Sequence, residues 1–209
     1  MLAVPGQPSA PVPARPVAVL VGPPGAGKTT IGRALGDRLG LPVRDTDADV
    51  EARAGTSVAD IFVTDGEAAF RALEREAVAD ALVTHSGVLA LGGGAVMDPL
   101  TEAALLDYRE QGGCVVFLDV SLAAASPRVG LNQARPLLLG NPRAQWLALM
   151  ETRRPVYTRV SSFVVSTDDR EPAAICEEIA AALTRTPGAG DSAPTSTGDS
   201  APTSTEDHA

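Results

Sequence analysis

Gly22, Gly27, Lys28 and Thr29 fill the fixed positions of G-x-x-x-x-G-K-[ST] inside VAVLVGPPGAGKTT, residues 17–30. That spacing is the phosphate-cradling loop. Glycines let the backbone bend so that its N–H groups face phosphate oxygens, and the helix N-terminus behind them adds partial positive charge. In such a loop Lys28 reaches the β- and γ-phosphates, and the Thr29 hydroxyl sits on a magnesium ion. A chance glycine-rich turn is the competing possibility. The apolar run 17–21 before the loop and the helix-forming stretch after it supply the context the motif requires, so the chain is expected to bind a nucleoside triphosphate.

The elements that must hold this loop alternate. Apolar runs predict strands over 17–21, 42–45, 87–91, 114–119 and 163–166. Helical patterning predicts helices over 28–39, 48–54, 58–62, 66–84, 101–110, 141–154 and 171–183, and a helix followed by a loop within 121–139. Strands alternating with helices imply an α/β fold, a doubly wound five-stranded parallel sheet flanked by helices. Ligands in such sheets sit at the carboxyl ends of the strands. Those ends carry the phosphate loop, then Asp45 and Asp47, then Gly92, Gly93 and Gly94.

At 209 residues the chain suffices for one core with tails to spare. Residues 1–16, rich in proline, read as a disordered leader, and 17–184 as the folded domain. In 185–209, GDSAPTST occurs twice in tandem with no large apolar residue, so this tail also reads as disordered. A net charge of −9 argues against a nucleic-acid partner. No apolar run is long enough to span a membrane and no secretory signal is visible, so cytoplasm is the default. Cys114 and Cys176 stand outside any zinc-like spacing and read as small buried hydrophobes. His85 and Trp146 fit no motif and read as structural.

Behind the phosphate loop follow, in order, DTD at 45–47, FR at 70–71, LGGGAV at 91–96, ARPLL at 134–138 and R-x-P-x-Y at 153–157. Each motif alone is weak, but five in order are strong. Together they resemble the shikimate kinase family, within the nucleoside-monophosphate-kinase-like group of phosphate-loop proteins, over everything except the two tails. The resemblance implies ATP as phosphoryl donor, shikimate as acceptor, magnesium as the metal and a place in aromatic amino acid biosynthesis.

Shikimate carries one carboxylate and three hydroxyls, so its site needs cations and a carboxylate. Arg71 and Arg153 are the candidates for the first, since guanidinium forks match carboxylate geometry. Asp47 is the candidate for the second, orienting or deprotonating the attacking hydroxyl. Gly93 and Gly94 are expected to let the substrate approach the backbone. Gly25, Ala26, Gly27, Lys28, Thr29 and Thr30 would line the nucleotide. The resemblance further implies that Asp45 joins Thr29 in the magnesium shell and that Arg135, in the lid segment, closes over the phosphates as a catalytic group. It puts Arg128 and Arg170 beside the adenine, although TDDREP around Arg170 keeps only part of the family pattern.

Taken singly, these residues also suit plainer roles. Asp45 and Asp47 are suited to cap the helix that follows them, Arg71 and Arg153 to a solvated face, and the glycines to a tight turn. For the whole chain, the rivals are a kinase of the same fold acting on gluconate or a nucleoside monophosphate, and a nucleotide-binding module without turnover. A GTP switch expects N-K-x-D, which is absent. The expected form is a monomer.

Overall fold

The computed structural model describes residues 14–129 and 141–185. Five strands form one parallel sheet in the order β2-β3-β1-β4-β5. They are β1 (Ala18–Val21), β2 (Val43–Asp45), β3 (Val88–Ala90), β4 (Val115–Asp119) and β5 (Phe163–Ser166). The central strand β1 is buried along its whole length, pairing Val19 with Leu89 on one side and with Val115 on the other. That double burial is why its sequence is uniformly apolar rather than alternating. The edge strands read differently: Val43 and Val164 are exposed.

Helices α1 (Lys28–Leu39), α2 (Thr46–Ala54), α3 (Val58–Thr64), α4 (Gly66–Thr84), α5 (Pro99–Glu110), α6 (Leu122–Arg128), α7 (Pro142–Val160) and α8 (Pro172–Arg185) flank the sheet. Helix α1 stops at Gly40, whose φ of 65° is left-handed and whose N–H returns to Gly36 and Asp37 carbonyls. The main core joins β1, β3 and β4 to α1, α4, α5, α7 and α8, while Val50, Ile61, Phe70 and Ala77 form a smaller cluster under α2 and α3.

Two departures from the sequence reading bear on the site. Helix α2 begins at Thr46, not at 48, because Asp45 caps it: Asp45 Oδ1 accepts from the Asp47 N–H at 3.0 Å. Helix α7 does not end at 154 but runs through Pro155 to Val160. Proline removes one backbone hydrogen bond. Here Trp146, Met150, Tyr157 and Val160 form one buried face across the proline, and burying that face outweighs the lost bond. The continuation sets Arg153 and Tyr157 four residues apart on one face.

Candidate active site

The phosphate loop leaves β1 at Gly22 and enters α1 after Gly27, whose φ is 85°. Gly22 has φ 150°, and a β-carbon there would lie 2.5 Å from the Leu118 carbonyl oxygen, so no side chain fits. Lys28 Nζ reaches back over the loop and donates to the Gly22 carbonyl at 2.8 Å and to that of Pro23 at 3.2 Å. Burial pushes its ammonium down to about 8; Asp47 and Asp45 oppose the shift and Arg153 adds to it. Residues from α1, β2, α2 and α7 thus meet electrostatically at one point.

Thr29 Oγ1 donates to Asp45 Oδ2 at 2.8 Å. Asp45 therefore caps α2 with one oxygen and meets Thr29 with the other, so capping does not compete with the contact to Thr29. Among the described residues no group of three or more His, Cys, Asp or Glu could hold a metal. A hydroxyl beside one carboxylate still fits magnesium, which takes few protein ligands and keeps the rest as water and phosphate oxygens.

On the outer side, Arg128 donates to the Gly25 carbonyl at 3.2 Å and to the Thr167 carbonyl at 2.9 Å. Arg170 donates to the Ser166 carbonyl at 3.1 Å and pairs with Glu178 at 2.7 Å. Both line a cleft of about 490 Å³ with Ala124, Pro127 and Asp169. The two arginines are therefore brought together next to the phosphate loop. Arg135 lies outside the described residues.

The turn after β3 gathers the other half. A β-carbon on Gly92 would collide with Asp47 Oδ1 and Glu74 Oε1, one on Gly94 with the Arg71 guanidinium, and one on Gly93 would meet the Pro24 ring at 3.2 Å. The space a β-carbon would take at these three glycines is occupied by the side chains of Asp47, Glu74, Arg71 and Pro24. Arg153 Nη1 donates to the Gly93 carbonyl at 2.9 Å, and the Tyr157 hydroxyl donates to the same oxygen. The Gly92 N–H donates to Thr46 Oγ1 at 2.9 Å, fixing the turn against α2. Burial, reinforced by Asp45, raises the Asp47 carboxyl above its usual range, with Lys28 opposing. Asp47, Arg71 and Arg153 thus converge on three successive glycines.

A family model described as shikimate kinase matches residues 24–184. The chain belongs to the shikimate kinase family. The shikimate kinase of Thermobifida fusca (strain YX) is 56% identical over 177 residues, 85% of this chain and 98% of its own length. That of Salinispora arenicola (strain CNS-205) is 55% identical over 168 residues, 80% and 98% of the two chains. Among solved structures, the shikimate kinase from Acinetobacter baumannii in complex with shikimate has a TM-score of 0.73 at 30% identity, covering 82% of this chain and 93% of that one.

In this member of the shikimate kinase family, several site residues carry little sign of their role in the sequence. Glu74 is 2% exposed and accepts from Arg71 Nη1 at 2.6 Å. Its only local signal is its place three residues after Arg71 on a helix. Tyr157 closes R-x-P-x-Y, but nothing in the motif says where its hydroxyl goes. Trp146, structural by its sequence, is buried and also touches the loop, its indole N–H donating to the Pro24 carbonyl at 3.4 Å.

Proposed function

We infer that this chain transfers the γ-phosphoryl group of ATP to the 3-hydroxyl of shikimate, giving shikimate 3-phosphate and ADP. The observation that carries the reading is the glycine turn 92–94, at which Asp47, Arg71 and Arg153 meet beside the phosphate loop. A carboxylate and two guanidinium groups complement a polyhydroxy acid. Lys28 and the loop backbone complement a polyphosphate.

In the reaction the substrate O3 forms a bond to Pγ while the bond from Pγ to the ADP oxygen breaks. Asp47 accepts the O3 proton; a carboxyl held above its usual range is the better base. Arg71 and Arg153 take the substrate carboxylate and fix the ring, and Lys28 neutralises charge on the transferred group. Arg135 would add to that neutralisation from the lid. Thr29 and Asp45 would hold a magnesium ion, which would supply charge neutralisation to the transferred phosphoryl group. Arg128 and Arg170 would flank the adenine in their cleft. Gly93 and Gly94 would meet the substrate, and Gly25, Ala26, Gly27 and Thr30 the nucleotide.

The working unit in this reading is residues 17–184, acting as a cytoplasmic monomer without nucleic acid. In support, a net charge of −9 disfavours a phosphate-backbone partner. The test is ADP release by purified protein with ATP and magnesium, compared across shikimate, gluconate and nucleoside monophosphates. Release confined to shikimate is expected. Release confined to another acceptor overturns the substrate, and none with any acceptor favours a nucleotide-binding module.

A further inference from the structure

The Gly93 carbonyl accepts from two side chains of one helix, Arg153 and Tyr157. They are not equivalent. Arg153 is partly exposed and has a second task, since a guanidinium that grips a substrate carboxylate must spend donors on it. Tyr157 is 0% exposed and has one hydroxyl proton to give. Its ring is stacked on Phe117 of β4, centroids 5.0 Å apart, which leaves the phenol little freedom to turn elsewhere. Burial pushes the phenol up to about 12, so it stays protonated, and a donor, at any working pH.

The peptide that carries the Gly93 carbonyl also carries the Gly94 N–H, pointing the opposite way because the unit is planar and trans. Among the described residues neither the Gly93 nor the Gly94 N–H donates to any protein atom. Glycines have the widest backbone freedom of all residues, so this turn needs something to hold it. A carbonyl tied to α7 fixes where the Gly94 N–H aims.

We propose that Tyr157 is a positioning residue for the acceptor substrate: its hydroxyl holds the Gly93 carbonyl, so that the glycine turn keeps its shape when Arg153 turns from that carbonyl to the substrate carboxylate. The proposal rests on the shikimate kinase reading of the site. Without the phenol, engaging Arg153 would leave a carbonyl unpaired and let the peptide rotate. The cost therefore falls on acceptor binding, not on the nucleotide side.

Tyr157→Phe keeps the ring stack and removes only the hydroxyl. It is expected to raise the shikimate KM about tenfold, the worth of one hydrogen bond. ADP affinity and the ATP KM should stay within about twofold, and kcat should change less than the shikimate KM. An unchanged shikimate KM overturns the proposal. So does loss of ADP binding, because the hydroxyl would then hold the fold as a whole. Phe117→Leu loosens the stack that aims the hydroxyl, so it should raise the shikimate KM in wild type and add little in Y157F; equal rises in both backgrounds assign the effect to packing and also overturn the proposal. Wild-type protein inactive on shikimate would instead overturn the function itself, so the two failures are distinct.

Discussion

Arg71 donates through Nη1 to the carboxylate of Glu74 at 2.6 Å, one turn along α4, and Glu74 is almost entirely buried beneath it. The guanidinium lies against Gly94 with this carboxylate behind it and Glu67 at 3.2 Å on its outer side. Arg71 is thus held from its own helix before it meets a ligand.

Removing the buried partner should release it. Glu74→Ala is expected to lower stability by about 2 kcal/mol, the scale of losing a hydrogen bond to a charged group, and to raise the shikimate KM. Glu74→Gln keeps an acceptor and should lose less. Burial holds the Glu74 carboxyl above its usual 4.5 despite Arg71. The folded state therefore keeps a proton that the unfolded chain has lost, and stability falls as pH rises from 4.5 through the raised folded value. Denaturant unfolding across this range should show that decline in wild type relative to E74Q. A difference that grows with pH would contradict the assignment.

Two glycines should respond to alanine in opposite ways. At Gly94 the added carbon meets the far end of the flexible Arg71 side chain, which can move aside. Gly94→Ala should keep its melting temperature near wild type and raise the shikimate KM about ten- to hundredfold, as the guanidinium is displaced. At Gly22 it meets the Leu118 backbone at 2.5 Å with φ at 150°, and neither can yield. Gly22→Ala should cost about 1–3 kcal/mol of stability. Melting curves and shikimate kinetics of both variants check the contrast.

Lys28 should give nucleotide capture a basic limb. Its charged form persists below about 8 in the folded protein and below 10.5 in the ordinary case. Above about 8 the folded chain has released a proton that the unfolded chain retains, so the Lys28 contribution to stability rises with pH between those values. Function runs the other way, because phosphate needs the ammonium. The ratio kcat/KM for ATP, which reports the free enzyme, should decline above about pH 8. Bound phosphates favour the charged form, so kcat should decline only at higher pH. Coincident limbs would argue against Lys28 as the titrating group.

Asp47→Asn preserves shape and removes the base. Turnover should fall about 10²–10⁴-fold, with ADP affinity near wild type in calorimetric titration. A variant that retains turnover would remove Asp47 from proton transfer.

Much of this is legible locally. The phosphate loop and its helix, the five strands and the span of α4 follow from spacing and apolar runs, which depend on neighbours a few residues away. Helix α7 reads short in the sequence because proline is a local signal, whereas the packing of Tyr157 and Val160 that overrides it comes from β4 and the core. Glu74 is silent for the same reason: an acidic residue on a helix reads as solvated until the Gly92 turn is known to close over it.

The sequence alone carries the phosphate loop, because G-x-x-x-x-G-K-[ST] is one contiguous stretch whose turn and helix follow from its own residues. It also named Asp47, Arg71 and Arg153, but as separate motifs. Their meeting at one glycine turn, the Glu74 carboxylate behind Arg71, the Tyr157 hydroxyl on the Gly93 carbonyl and the side chains packed against Gly92 and Gly94 arise only in the folded chain. These contacts join residues up to 64 positions apart, and their geometry exists only once the parallel sheet brings β1, β2 and β3 side by side.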